Sequence, residues 1–186
     1  MILNLFRRNS QDDTIAILYG VIVAQARREA FYRHHGVPDT ANGRLEMIIL
    51  HTFLVVARLE AEAPARVLGQ ALFDHFCADM DANLREMGVG DMAVPRKMKA
   101  IGEAFYGRKR AYEAALAAPG VEQLANALAR NVHAGDADRA DVERLAAYVR
   151  AAARELASAD GGALQQGRVP FPDPLAFAQS EPAGEP

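Results

Sequence analysis

The chain has 186 residues, of which 51% are hydrophobic and 24% are charged, and its formal net charge is −3 at pH 7. This length suits one domain with its own buried core. The small negative charge gives no overall electrostatic reason to bind DNA or an anionic membrane. The single cysteine, Cys77, excludes a disulfide within the chain and argues against a cysteine-based zinc site. The first residues lack the pattern of a secretory signal, and we expect a cytoplasmic protein.

The first helix is predicted from regularly spaced apolar residues. Over residues 15–26, apolar side chains recur at the spacing of one helical face. A polar cluster at residues 9–13 precedes them, and Asp12 or Asp13 can cap the helix. We therefore expect a flexible N-terminus over residues 1–11 and a helical domain that begins at residue 12.

The second helix is expected at the centre of a bundle. Residues 36–39 interrupt the first pattern, because Pro38 disfavours a helical conformation in the residue before it. A new helix starts near Asn42 and is apolar almost all round over residues 45–57. Because this stretch is much shorter than the ~20 residues of a membrane-spanning helix, we expect other helices to bury it.

Four more helices are predicted from apolar stripes and from the residues that bound them. Pro64 and Pro95 stand where the third and fourth helices begin, since the first turn of a helix does not need their missing N–H. Gly88 ends the third helix. Two further stripes, at residues 121–128 and 142–156, predict the fifth and sixth helices.

These elements predict an all-α fold. We expect a single-domain bundle of about six helices over residues 12–158. Residues 159–186 hold five prolines and four glycines, with too few apolar residues to offset the entropy of ordering. We expect a disordered Pro/Gly-rich tail there. The alternative is that Phe171, Leu175 and Phe177 dock as a short linear motif.

No catalytic motif is recognisable, since the chain lacks a phosphate-binding glycine loop, a dinucleotide fingerprint and a zinc-hydrolase motif. Cys77 has no catalytic signature around it, so we interpret it as a packed thiol. A metal or haem site would combine His51 with His75 and Asp79, which share one helix face. The alternative is a half-buried histidine bonded within the chain. We expect no enzyme activity, metal or cofactor, and keep a haem- or metal-binding bundle as the alternative.

Charge changes sign where the third helix meets the fourth. The acidic side comprises Asp74, Asp79, Asp81, Glu86 and Asp91, and the basic side comprises Arg96, Lys97, Lys99, Arg108, Lys109 and Arg110. Lys97 and Arg108 are 11 residues apart, close to three helical turns, and therefore share a stripe. The same holds for Lys99 and Arg110. This stripe is either a docking surface for an acidic partner, lipid headgroups or RNA, or a solvated helix face.

The same junction carries a family resemblance. The motifs are DMDANLREMGVGD at residues 79–91, VPRKMK at residues 94–99 and AFYGR at residues 104–108, together with Tyr32, residues 36–39, Gly43-Arg44, Leu50-His51 and residues 129–132. Over residues 15–132 the chain thus resembles the ubiquinol-cytochrome c chaperone family. The resemblance implies an all-helical assembly factor for the cytochrome bc1 complex (complex III), without enzymatic activity.

The resemblance also implies partners and a location. Mitochondrial members of the family work with a small partner to bind newly made cytochrome b, and they associate with the ribosome. This chain resembles a bacterial member, which we expect in the cytoplasm or peripherally on the cytoplasmic face of the inner membrane. Cytochrome b is the expected partner. A small partner protein, the ribosome and the inner-membrane surface are further candidates, and a generic membrane or ribosome adaptor is the alternative function.

We expect the docking surface at the junction between the third and fourth helices. The expected partner-binding residues are Asp81, Asn83, Arg85, Glu86, Asp91, Arg96, Lys97, Lys99, Tyr106 and Arg108. An assembly factor must shield the apolar helices of an incomplete membrane protein, which calls for an apolar groove with a polar rim. Met80 and Met87 can adapt to such helices, or can pack in the core. The alternative for the residues from Asp81 to Glu86 is that caps and ion pairs among them stabilise the junction.

Overall fold

Helices follow one another along residues 2–135 and 137–178, the parts of the chain that the computed structural model describes. The α-helices are α1 (Ile2–Ala26), α2 (Glu29–His34), α3 (Ala41–Glu60), α4 (Arg66–Glu86), α5 (Val94–Ala117), α6 (Glu122–Asn131), α7 (Arg139–Ser158) and α8 (Gly161–Gln165). Short 3-10 helices lie at Ala63–Ala65 and Pro174–Phe177. No strand occurs within the described ranges, and the predicted all-α class is confirmed.

Helix α3 is the central element of the bundle. Thr40 caps its N-terminus, because the Thr40 hydroxyl accepts a hydrogen bond from the Gly43 N–H at 3.1 Å. Residues 46–56 are all buried, and α1, α4, α5 and α7 pack around them. Helix α3, which lacks a polar face, is thus buried by other helices, as predicted. In the described ranges, no helix combines the length and hydropathy needed to cross a membrane.

Aromatic rings join α5 to α3 and α4. Phe53 of α3 packs on Tyr112 of α5, with ring centroids 5.5 Å apart. Phe76 of α4 packs on Phe105 of α5 at 5.9 Å, and all four rings are buried. Burying one such side chain contributes about 1.5–3 kcal/mol to stability. These contacts hold one face of α5 on the bundle and leave its opposite face in solvent.

The predicted end of α4 and the predicted start of α5 are confirmed. Gly88 follows α4 with φ of +78°, and Gly120 follows α5 with φ of +72°. Glycine adopts this left-handed conformation without steric cost. Pro95 stands in the first turn of α5, where its missing N–H would have no helical acceptor. These breaks separate the two helices and let them pack side by side.

Helix α1 begins earlier than the sequence predicts. We expected flexible residues 1–11 and a helix from residue 12, yet the backbone is helical from Ile2. The polar residues at positions 9–13 therefore lie inside α1. Such residues lower helix propensity by only about 0.7 kcal/mol each, and residues 2–19 contain neither glycine nor proline. A polar cluster by itself therefore does not end this helix.

Residues 159–178, the first part of the expected tail, pack on the bundle. Asp160 caps α8 by accepting hydrogen bonds from two backbone N–H groups, and Leu164 is fully buried. Residues 168–178, which we call the C-terminal strap, then pack across α2 and α7 and reach α3 at His51. The prediction of disorder is corrected for these residues. Residues 179–186 lie outside the described ranges, and the tail stays a prediction there.

Two of the three apolar residues of the predicted linear motif pack on the bundle. The Phe171 ring lies 5.2 Å from the His51 ring, and the Phe177 ring lies 5.9 Å from the Tyr148 ring, both measured between centroids. Leu175 remains 51% exposed. The docking alternative therefore holds for the two phenylalanines. Average composition misses this, because a few apolar side chains suffice when they reach the same groove.

Candidate functional site

The acidic half of the predicted site is held together by Arg85. Its guanidinium donates to Asp81 Oδ2 at 2.6 Å and to Asp91 Oδ1 at 2.5 Å. These two bonds tie the last turn of α4 to the loop before α5. Asn83 donates to the backbone carbonyl of Asp79 at 2.8 Å. The structure therefore gives these residues partners within the chain, as in the stabilising alternative, whereas Glu86 is exposed.

Arg108 points into the bundle and pairs with Glu46 of α3. Its Nε and Nη2 donate to the two carboxylate oxygens of Glu46, each at 2.5 Å. The Arg108 side chain is 20% exposed and the Glu46 side chain is 4% exposed. Burial raises the pKa of Glu46, and the guanidinium opposes this shift. Arg108 thus fixes α5 on α3, and the accessible part of the predicted surface lies elsewhere.

The accessible basic residues follow the outer face of α5. Lys99 and Arg110 line one shallow groove, with Tyr106 between them, so their 11-residue spacing does bring them to one face. Arg96 and Lys97 are exposed in the first turns of α5. Within the described ranges, neither they nor Arg110 has an ion-pair partner. We call the exposed residues Arg96, Lys99, Tyr106 and Arg110 the α5 face. Lys97 lies two positions from Lys99 and is therefore on the other side of α5, the side of Arg108.

Tyr106 forms the aromatic centre of the α5 face. It is 50% exposed, and its ring packs 5.2 Å from the ring of Phe73. On either side, a Cβ atom added to Gly102 or Gly107 would meet nothing within 4 Å. Glycine inside a helix costs about 0.5–1 kcal/mol relative to alanine, and no neighbour in this chain requires it here. The groove therefore lets another chain approach the backbone of α5 closely.

Two methionines extend the exposed apolar surface beyond the start of α5. Met87 and Met92 are 68% and 95% exposed, whereas Met80 is 8% exposed and belongs to the core. A thioether side chain is unbranched and adapts to differently shaped apolar partners. Core packing therefore accounts for Met80, and Met87 and Met92 remain available to a partner.

The residues considered for a metal site are engaged in other contacts. His51 Nδ1 lies 2.8 Å from a backbone carbonyl and therefore donates, while His51 Nε2 accepts from the Tyr148 hydroxyl at 2.8 Å. Burial lowers the pKa of His51 to about 4, so the ring is neutral. His75 packs edge-on to Tyr19, whose hydroxyl donates to Asp79 at 2.7 Å. In the described ranges, no three His, Cys, Asp or Glu residues are grouped to hold a metal ion.

Cys77 is half-buried in α4. Burial raises the pKa of its thiol, whereas a nucleophilic cysteine needs a pKa lowered by nearby positive charge. The environment of Cys77 is that of a packed thiol.

Together these features describe a class of protein, a helical bundle that presents an aromatic and cationic helix face. The crystal structure of the Cbp3 homolog from Brucella abortus is similar to this chain, with 40% sequence identity and a TM-score of 0.84. The similarity covers 94% of this chain and 98% of that one. The model of the ubiquinol-cytochrome C chaperone family matches residues 33–171. The chain therefore belongs to the ubiquinol-cytochrome c chaperone family, which confirms the resemblance. None of the curated proteins compared with it matches.

Proposed function

We propose that the chain is an assembly chaperone that binds newly made cytochrome b and promotes the biogenesis of the cytochrome bc1 complex (complex III). The observation that carries this proposal is membership of the ubiquinol-cytochrome c chaperone family, together with 40% identity to the Cbp3 homolog over 94% of the chain. In this proposal the protein acts by binding alone. It catalyses no reaction and uses no cofactor.

The α5 face is the proposed docking surface. A membrane protein that has not yet been assembled presents apolar helices, which are held in solution by apolar contacts. Tyr106 offers such a contact beside a groove floored by Gly102 and Gly107. Exposed lysine and arginine side chains around it can form charge-assisted hydrogen bonds with acidic groups. An aromatic anchor with a charged rim is typical of protein interfaces.

Other predicted residues either belong to the proposed surface or hold α5 in position. Glu86 is exposed and belongs to the proposed surface. Arg85 holds Asp81 and Asp91, so it sets the path of the loop that leads into α5. Arg108 sets the rotation of α5 through Glu46. A change in these supporting residues would weaken docking indirectly, by moving the α5 face.

The proposed place of action is the cytoplasm, or a peripheral position on the cytoplasmic face of the inner membrane. A chaperone for a membrane complex meets its client there. Each lysine or arginine near an anionic lipid surface contributes about 1 kcal/mol, and Arg96, Lys97 and Lys99 lie close together at one end of α5. A small partner protein and the ribosome are the other partners that we propose for a cationic surface of this kind.

Deleting the gene tests the proposed function. The difference spectrum of the membranes should lose the haem b signal of the bc1 complex, while other respiratory complexes keep their activity. A copy of the unchanged gene should restore the signal. Normal cytochrome b and bc1 levels in the deletion strain would contradict the proposal.

Complementing the deletion strain with charge-reversed variants tests the proposed docking surface separately from the proposed function. A variant with Arg96→Glu, Lys99→Glu and Arg110→Glu should fold but fail to restore the complex. The matched control reverses three arginines outside α5, Arg27→Glu, Arg130→Glu and Arg154→Glu, which are also exposed and have no ion-pair partner in the described ranges. The control should restore the complex. Full restoration by the first variant would remove the α5 face from the proposal and leave the function intact.

A further inference from the structure

The C-terminal strap fills a groove whose wall is formed by α1, the end of α2, α7 and His51 of α3. Its last part, Pro174–Phe177, packs chiefly on α2 and α7. Its contacts come from Gln25 of α1, His35 after α2, His51 of α3 and Tyr148 of α7. The strap thus covers His35, His51 and Tyr148, all of which are fully buried.

The wall of this groove is organised without help from the strap. Gln25 Nε2 donates to the Tyr148 hydroxyl at 3.0 Å, and that hydroxyl donates to His51 Nε2 at 2.8 Å. His51 Nδ1 in turn donates to the carbonyl of Met47 at 2.8 Å. Every group in this series of hydrogen bonds already has a partner within the bundle. A site with such fixed polar groups can receive a ligand without reorganising first.

In the groove, residues 168–173 of the strap have no regular structure, and residues 174–177 form a 3-10 helix. The polar contacts of the strap use two backbone carbonyls, since Pro172 O accepts from Gln25 Nε2 at 3.1 Å and Pro174 O lies 3.0 Å from His35 Nε2. Every second residue from Pro170 to Pro174 is a proline. These residues have no N–H, so no donor is left unpaired at those positions. Aromatic-lined grooves are also where proline-rich segments of other proteins bind.

The attachment of the strap is shallow. Within residues 168–178, Pro174 alone is buried, and Asp173 is exposed. Asp173 pairs with Arg28 at 3.0 Å, with side chains 54% and 40% exposed, so the pair is weak. While the strap is in place, His35 Nδ1 is buried without a hydrogen-bond partner, which weakens the closed arrangement.

We propose that this groove is a second binding site, for a segment of a partner protein in which two aromatic residues flank a Pro-Asp-Pro sequence. The strap is the intramolecular occupant of that site, and a partner segment binds when the strap leaves. The chemistry of the partner segment follows from the contacts that the strap makes. The site shares no residue with the α5 face, so the proposal stands independently of the client that the α5 face binds.

A labelled synthetic peptide of residues 168–178, titrated into full-length chains, tests this proposal. In the chain with Phe171→Ala and Phe177→Ala, the intramolecular strap is weakened and the groove is unchanged. Fluorescence anisotropy should show the peptide binding to this variant roughly tenfold more tightly than to the unchanged chain. The matched control Leu175→Ala alters a residue of the same strap that is 51% exposed. It should behave as the unchanged chain does.

The opposite results would overturn the proposal. If the double variant keeps its helical circular dichroism spectrum and binds no peptide, the strap is a permanent part of the fold. Equal affinity for all three chains would show that the peptide binds elsewhere. Asp173→Lys, which replaces an attraction to Arg28 by a repulsion, provides a milder strap variant, and a smaller gain in peptide affinity is expected for it. Adding His35→Ala to the weakened chain should lower peptide affinity roughly fivefold, the effect of one lost hydrogen bond.

Discussion

Replacing Arg108 by methionine shows whether this residue holds α5 in place. Its guanidinium bonds both carboxylate oxygens of Glu46, whose side chain is 4% exposed. In Arg108→Met the carboxylate stays buried and loses its counter-charge, and breaking a buried pair in this way costs about 3–5 kcal/mol. Because Arg108 is itself 20% exposed, we expect the lower end, about 3 kcal/mol. For a domain of this size, that loss lowers the Tm by roughly 6–12 °C.

Thermal unfolding followed by circular dichroism measures the loss, and its pH dependence identifies the cause. Burial raises the pKa of Glu46 and Arg108 opposes the shift, so the pKa rises further in Arg108→Met. A raised pKa in the folded state means that stability is gained at low pH and lost as the pH rises. The deficit of the variant should therefore shrink as the pH is lowered, because Glu46 becomes protonated.

The pair of Arg33 with Glu29 provides the matched control. It joins the same residue types at 2.6 Å, but the two side chains are 68% and 69% exposed. Arg33→Met should therefore cost at most about 0.5 kcal/mol. Equal losses in the two variants, or a loss in Arg108→Met that does not change with pH, would refute the assignment of Arg108 to the α3–α5 interface.

Three further predictions concern the buried hydrogen bonds of Tyr148 and His51 and the glycines beside the α5 face. Tyr148→Phe removes the hydroxyl that donates a hydrogen bond to His51, and it should lower the free energy of unfolding in urea by about 1–3 kcal/mol. An unchanged free energy of unfolding would show that this bond contributes nothing. Burial lowers the pKa of His51 from 6.5 to about 4. The free energy of unfolding should therefore decrease as the pH is lowered from about 6.5 to about 4, because only the unfolded state takes up the proton in that range. His51→Gln should show a smaller slope, and an unchanged slope would contradict this. Gly102→Ala and Gly107→Ala should each stabilise the isolated protein by about 0.5–1 kcal/mol in thermal unfolding and weaken client binding; stabilisation without weaker binding would show that no partner approaches the groove closely.

Much of the fold could be predicted because it follows from local pattern. A stretch that is apolar all round, at residues 45–57, predicts the central helix, and Gly88 predicts the end of α4. The start of α1 could not be predicted in this way, since helix continues through polar residues wherever no glycine or proline stops it. The strap was missed because Phe171 and Phe177 gain their burial from distant helices, which no local average contains.

The site was harder to predict because its decisive contacts are distant in sequence. The partner of Arg108 lies 62 residues away, and the partner of the His51 ring lies 97 residues away. The sequence does contain a signal for the first pair. Glu46 is a charged residue directly before a long apolar run, and a charge buried there requires a counter-charge. By contrast, the helical spacing that brings Lys99 and Arg110 together is local, and the structure shows both in one groove.

Photocrosslinking at position 106 tests the proposed function most directly. Tyr106 is replaced by a photoreactive phenylalanine in cells that make cytochrome b, and the crosslinked chains are identified by mass spectrometry. The same label at Val67, which is 68% exposed at the start of α4, provides the control. We predict a crosslink to cytochrome b from position 106 and none from position 67. Absence of cytochrome b from the products at position 106, in cells that synthesise it, would contradict the proposal.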